Sequence, residues 1–558
     1  MTERTTYTRR LEALREACRS AGCDGWLQPT QDRFMSEYPP EATRRLAWLS
    51  GFTGSNGAAL ILADRAVLFT DGRYTLQAAE QCPDYEVVDL ADYAPQDWLA
   101  EHAPDAVIGF DPWIHSAQQL RGWAKGEAEF TMRANLIDPL WHDQPPLPAQ
   151  PALAHDEAFA GESREDKLAG LEVELVAREA DAVILTLPDG VNWLLNIRGS
   201  DVGYNPLVLA YAVVQRGGQV TLITQPREGL EGFDVISPQE AEVAVPQLLA
   251  DAQRILIDPA VSSYAWWELL SDKELVEVAD PTLLPKALKN EVEREGMREA
   301  HRRDGRAVSA FLSWLEGTLE AGTELTEIHA ARKLEEFRRA QKMYHGPSFA
   351  TIAGSGPHGA IIHYHATPES DRVLGQGELF LLDSGGQYDD GTTDITRTIA
   401  CGTPTAEMKA NFTRVLKGHI AIDTARFPEG TTGGQLDVLA RHALWQAGLD
   451  YAHGTGHGVG SYLCVHEGPQ RISKRGGDVP LREGMILSNE PGYYKNGEYG
   501  IRIENLVMVV RGADGFLEFE TLTLAPIDLR LVEENMLTPD EKQWLQDYHA
   551  KVAANNRA

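Results

Sequence analysis

The chain has 558 residues, 43% hydrophobic and 24% charged, which is ordinary for folded globular protein and too long for a single core. Its 83 acidic residues against 51 basic ones give a formal charge of −32, with no basic run, which argues against a nucleic-acid partner held through a basic patch. The longest apolar runs, such as residues 207–214, fall far short of the roughly 20 residues that span a bilayer, so no membrane partner is expected either.

The N-terminal MTERTTYTRR is polar and precedes no apolar segment, so no signal peptide is expected. The five cysteines are odd in number and form no C-x-x-C pair, the pattern of a reducing compartment. Both features predict a cytoplasmic protein. Leu11, Leu14 and Cys18 fall at helical spacing over Tyr7–Gly22, with Gly22 as the stop. A strand-like GWLQP follows, then a segment rich in strand and turn signals to about Trp141. Residues 1–144 are predicted as one α/β domain, closed by a linker containing Pro145, Pro146, Pro148 and Pro151.

Residues 152–285 repeat this outline. A helix over Arg164–Glu179 leads into the strand-like AVILTL, LVLAYAVV and QVTLIT. Trp48-Leu49 and Trp193-Leu194 both open the pattern W-L-x-x-apolar-x-G-S, which predicts an internal repeat. From 286 to 558 helices are predicted over Glu291–Leu315, Thr326–Ala340, Ala406–Ala425 and Gln435–Ala447. Thr538 and Glu541 form a capping box that starts a last helix. Antiparallel strand pairs between these helices predict an α+β domain.

Two of those strand pairs carry matched carboxylates. Asp383 and Asp394 flank Asp390-Gly391; Glu490 and Glu504 flank Asn496-Gly497. Asp-Gly and Asn-Gly are hairpin signals because both tolerate positive φ. Facing residues of a hairpin share an index sum. The sums 777 and 994 put the midpoints at 388.5 and 497, each within about one residue of its turn. Four carboxylates so placed would repel unless cations stood among them. Two divalent ions balance a charge of −4, and His457 can add a neutral ligand; such a set suits Mn, Co, Zn or Fe. Two metals sharing bridging carboxylates would activate water for hydrolysis. His453-Gly-Thr-Gly-His457 is not a helical H-E-x-x-H zinc site, because its two glycines disfavour a helix and no Glu follows the first His.

The phrases IIHY, DSGGQYDDGTTDITRT, HGTGHGVGSYL, VHEGP, EPGYY and GIRIEN resemble the pita-bread metallopeptidases, and within them the long, three-domain Xaa-Pro aminopeptidases. The resemblance implies a C-terminal pita-bread catalytic domain preceded by two related creatinase-like α/β domains. It places five metal ligands on Asp383, Asp394, His457, Glu490 and Glu504, with Asp394 and Glu504 bridging two ions, Mn2+ by resemblance, with Co2+ or Zn2+ as alternatives. It makes Glu490 the proton carrier and His466 the group on the scissile carbonyl. His363 would position the residue after the cleaved bond, and His453 and Arg73 would contact substrate. His365, two residues on, would share a strand face with His363 and could exchange roles with it. Arg502 would share a face with Glu504 and orient the carboxylates, or form a plain structural ion pair. The implied substrates are short peptides with proline second, and a homodimer is expected. Prolidase, cutting Xaa-Pro dipeptides, is the same-chemistry alternative. A non-catalytic scaffold and a metal-free creatinase-type hydrolase are disfavoured because all five ligand positions are filled.

Overall fold

A computed structural model describes residues 3–558. The chain forms two compact units. The first comprises the residues up to His155, Glu162–Gly203 and Leu207–Thr282; the second comprises Asp156–Gly161, Tyr204–Pro206 and Leu283–Ala558. No helix among the described residues is long and apolar enough to cross a membrane.

The first unit opens on the helix Glu3–Ser20, which buries Leu11, Leu14 and Cys18. Gly22, at φ +71°, ends the turn beyond it. A six-stranded sheet follows, made of Gly25–Pro29, Gly57–Leu62, Ala66–Thr70, Glu86–Asp89, Val107–Phe110 and Glu129–Met132. Its spatial order is fourth, third, second, first, fifth, sixth. The strands Ala182–Leu185, Tyr211–Gln215, Val220–Ile223, Asp234–Ile236, Arg254–Ile257 and Glu274–Glu277 form a second sheet in the same order. Each strand pair also keeps its sense. The joins among the first three strands are antiparallel, and the remaining joins are parallel.

The Trp-Leu repeat sits at one topological position. Trp48 and Leu49 lie in the helix Arg45–Ser50, and Trp193 and Leu194 in Pro188–Leu194, each between the first and second strands of its sheet. Only half of LVLAYAVV is a strand. The Val208 and Leu209 N–H groups donate instead to the side chains of Asn192 and Asp201, at 2.9 and 2.8 Å, and pairing begins at Tyr211. Buried backbone donors are satisfied either way.

The second unit starts with the helix Leu283–Ala287 and then the long helix Glu291–Glu320. Asn290 caps the latter in a box with Glu293. Met297, Ala300, Asp304, Val308, Phe311 and Leu315, spaced three and four apart, form its buried stripe. Thr538 and Glu541 make the predicted capping box for the final helix Pro539–Asn555. A three-stranded sheet joins Ile352–Ser355, Glu378–Ser384 and Ile395–Cys401. A six-stranded sheet contains Gly456–Gly458, Glu467–Ile472, Ile486–Asn489 and Asn505–Arg511, and Gly492–Lys495 pairs with Tyr499–Arg502. The helices Ala406–Asp423 and Gly433–Trp445 bury Val415, Leu416, Leu436 and Ala440 in the cores beneath.

The two predicted registers fare differently. In the second hairpin Gly492 faces Arg502 and Tyr493 faces Ile501, an index sum of 994 as expected. Asn489 facing Asn505 keeps the same sum, so Glu490 and Glu504 lie opposite each other between two ladders in register. In the first hairpin Asp383 faces Thr396, a sum of 779 rather than 777. The tip is Asp389-Asp390, with Tyr388 facing Gly391. Gly391 serves packing instead of the turn: a Cβ there would meet Met297 Sδ at 2.8 Å and Ala300 Cβ at 2.9 Å on the long helix. The error is two residues, so Asp383 and Asp394 still point to one face.

Candidate metal centre

The site assembles where these strand ends meet. Asp383 lies near the end of its strand and Asp394 directly before Ile395–Cys401; Glu504 follows Tyr499–Arg502 and Glu490 follows Ile486–Asn489. His457 stands in the short strand Gly456–Gly458, whose glycines let it slot between neighbours. A Cβ on Gly456 would lie 2.0 Å from the Ser488 carbonyl oxygen, and one on Gly458 2.4 Å from Gln470 Nε2. His457 Nε2 thus lies 3.5 Å from Asp394 Oδ2 and 3.6 Å from Glu490 Oε1. Its Nδ1 donates to the Gly458 carbonyl at 3.0 Å, which leaves the Nε2 lone pair facing the carboxylates, the tautomer of a metal ligand. Asp394, His457 and Glu504 offer ligand atoms all within 4.8 Å of one another.

A chain of hydrogen bonds backs the cluster. Arg502 Nη2 binds Asp383 Oδ2 at 2.6 Å, its Nε donates to Thr396 Oγ1 at 3.1 Å, and its Nη1 donates to Tyr494 Oη at 2.6 Å. Thr396 in turn donates to Glu504 Oε2 at 2.7 Å. Tyr494 Oη reaches His453 Nε2 at 2.8 Å, while His453 Nδ1 donates to the Gly454 carbonyl. The Ser488 hydroxyl joins the His457 backbone N–H to Glu490 Oε1, at 2.9 and 3.2 Å.

One arginine does not balance three buried carboxylates and the half-buried Glu490. Burial first, and then Asp383 and Glu490, hold Asp394 well above the usual carboxylate range. Burial, Asp394 and Asp383 do the same to Glu504. Glu490 is pushed up to about 8 by burial and Glu504, against the pull of His457 and Arg502. Asp383 Oδ1 and Asp394 Oδ1 are buried with no hydrogen-bond donor. Two bare carboxylate oxygens beside an imidazole lone pair are what divalent cations would satisfy. The residues therefore fit divalent cation binding.

Around the cluster, His466 presents its ring edge-on to His457, 4.4 Å between centroids. His453 Nδ1 lies 3.8 Å from Glu490 Oε2. His363 and His365 do not lie on a strand, contrary to expectation. Gly356, at φ +53°, and Pro357 end Ile352–Ser355 and start a 3-10 turn over Gly356–Ala360, after which both histidines sit in turn and coil. The shared-face argument for exchanging their roles therefore lapses. Desolvation lowers the His365 pKa against the pull of Asp383. Arg73 belongs to the first unit, where Nε and Nη2 grip Asp71 at 2.8 Å each and the guanidinium lies over the Tyr74 ring.

Similarity to known proteins over nearly the whole chain decides the kinship. The chain belongs to metallopeptidase family M24. The family's description matches residues 295–511, and that of its C-terminal region matches 515–556. Creatinase/Prolidase N-terminal domains match 10–140 and 143–293, one over each repeated sheet. This M24 peptidase is 42% identical to a probable Xaa-Pro aminopeptidase P of Laccaria bicolor over 98% of this chain and 90% of that one. It superposes on an X-prolyl aminopeptidase of Caenorhabditis elegans, described as a cytosolic enzyme with a di-nuclear active site, with a TM-score of 0.94 and 35% identity, over 99% of this chain and 96% of that one. A prolidase of Pyrococcus horikoshii is similar over only 65% of this M24 chain, with a TM-score of 0.53 and 26% identity.

Sequence reasoning missed Thr396 and Tyr494 in this M24 site. Thr396 lies two residues after Asp394, on the same strand face, a signal that was present. Tyr494 stands four residues past Glu490, and only the hairpin's fold brings it back to Arg502.

Proposed function

We propose that this chain is a dinuclear Xaa-Pro aminopeptidase, which removes the N-terminal residue from peptides with proline second. The observation carrying this reading is full-length similarity to an X-prolyl aminopeptidase with a di-nuclear site, joined to a carboxylate cluster with bare buried oxygens. Asp383, Asp394, His457, Glu490 and Glu504 would hold two divalent ions between them. Such ions polarise the scissile carbonyl and lower the pKa of water at neutral pH.

The chain's own groups do the rest. Glu490 takes the proton of the attacking water on its carboxylate and hands it to the leaving proline nitrogen. That nitrogen comes from a tertiary amide and carries no N–H, so the step depends on protonation from the enzyme side. His466 donates to the carbonyl oxygen as it gains charge. His453, whose Nδ1 donates to the Gly454 carbonyl, and His363 orient the peptide. Arg73 is proposed as a further substrate contact, and Arg502 as the group that orients Asp383. The native metal is proposed as Mn2+, the compartment as the cytoplasm, the assembly as a homodimer, and the domains as 1–144, 152–285 and 286–558.

The test is activity on Xaa-Pro-Yaa against Xaa-Pro, with elemental analysis of gently purified protein. Cleavage of the tripeptide with two bound metals per chain is expected. Glu490→Gln should lower kcat by at least about 10²-fold with the fold intact. Cleavage of the dipeptide alone would replace this reading with prolidase, and absence of retained metal would favour a scaffold.

A further inference from the structure

Glu467 follows His466 directly, and its carboxylate is closed to solvent. Two lysines meet it: Lys286 Nζ at 3.0 Å from Oε2, and Lys289 Nζ on Oε1. All three side chains are at most 1% exposed. Both lysines come from the short segment entering the second unit, Lys286 in the helix Leu283–Ala287 and Lys289 just before the cap of the long helix.

The strand ladder changes register at this point. His457 faces Arg471, but the next residue, Gly458, faces Glu467. Residues 468–470 therefore bulge out of the ladder, so the regular pairing is interrupted between Arg471 and Glu467, beside His466. Gly460 gives the carboxylate room, since a Cβ there would lie 3.2 Å from Glu467 Oε2. Two ammonium groups on one carboxylate leave a buried excess of positive charge. Such triplets are poor stabilisers compared with apolar packing, and their attested use is to fix one arrangement.

We propose that Lys286, Glu467 and Lys289 form a positioning triplet that holds His466 against His457. The geometry of the carbonyl-facing histidine is then set from residues before the peptidase region. Both lysines lie within the 143–293 match to the N-terminal domain and outside the 295–511 match to the peptidase. The proposal rests on the role given to His466 above.

The test uses full-length, metal-loaded enzyme and Xaa-Pro-Yaa. Lys286→Met leaves a neutral Lys289–Glu467 pair and so spares the fold better than removing Glu467. It should lower kcat about tenfold while KM, metal content and melting temperature change little, and Lys286→Arg should restore most of the loss. His466→Ala alone should lower kcat by about 10²-fold, and adding Lys286→Met to it should cost nothing further, because both act through one group. Independent, multiplying losses would overturn the triplet's role, as would a loss that tracks bound metal or folded fraction. Parental activity in His466→Ala would overturn the triplet's role together with that of His466.

Discussion

Arg502 Nη2 lies 2.6 Å from Asp383 Oδ2, and both side chains are nearly closed to solvent. The bond engages one carboxylate oxygen and leaves Oδ1 without a donor. Asp383 is thereby turned so that its free oxygen is offered to the cluster. The same guanidinium holds Thr396 and Tyr494, so one side chain ties together both hairpins.

Arg502→Lys keeps the charge but has no planar fork, and an ammonium cannot meet all three acceptors in this geometry. Losing a hydrogen bond to a charged group costs roughly 1.5–3 kcal/mol. The expected fall in kcat/KM is therefore about 10- to 100-fold, with metal retained. Parental kcat/KM in a correctly folded Arg502→Lys would reduce the arginine to a bland ion pair.

The carboxylates make the stability of metal-stripped protein depend on pH. Glu490 rises from 4.5 unfolded to about 8 folded, and Asp394 and Glu504 also rise. A raised folded pKa means the folded state binds protons more tightly, so that contribution is full below about 4.5 and is lost as pH climbs through the folded value. The melting temperature of chelator-treated protein should fall by several degrees between about pH 5 and pH 8, relative to the loaded form. Divalent ions should reverse the fall. Parallel melting curves with and without chelator would contradict it.

Thr396→Val removes the hydroxyl that donates to Glu504 and accepts from Arg502 while keeping the shape. A buried acceptor left unsatisfied costs about 1–3 kcal/mol. The substitution should weaken metal retention under competing chelator and lower kcat, and Thr396→Ser should recover most of both. Equal losses in Val and Ser variants would point to the methyl group rather than the hydrogen bonds.

The carboxylate pairs were legible because hairpin arithmetic needs only turn residues and indices. It held at Glu490 and Glu504, where Gly497 really takes positive φ, at +71°. It slipped at Asp383 because Gly391 looks like a turn glycine and is a packing glycine. Nothing in local sequence distinguishes the two; the long helix that demands the close approach lies about ninety residues earlier. The strand expected at His363 failed for a readable reason, the Gly356-Pro357 break. The long-range contacts stayed hidden. Tyr494 with Arg502, and Lys286 with Glu467, pair residues whose partnership depends on tertiary placement alone.

Gly500 tests how tightly the loop bearing His363 is seated. A Cβ on Gly500 would stand 1.6 Å from the Gly359 carbonyl oxygen and 2.4 Å from its carbon. Neither atom is a flexible side-chain end, so Gly500→Ala must displace backbone. Gly500 lies two residues from Arg502 within an antiparallel ladder that is itself well paired, so the 3-10 turn over Gly356–Ala360 is the part that yields. That turn leads within three residues to His363. Gly500→Ala should therefore raise KM for Xaa-Pro-Yaa more than it lowers the melting temperature would suggest, with metal content unchanged. Gly317→Ala is the control, since a Cβ there meets nothing within 4 Å and the residue lies in the last turn of the long helix. It should stabilise by up to about 1 kcal/mol and leave KM alone. If Gly500→Ala binds substrate as the parent does, the loop is not held by this contact, and the approach of Gly359 to Gly500 is packing without consequence for the peptide.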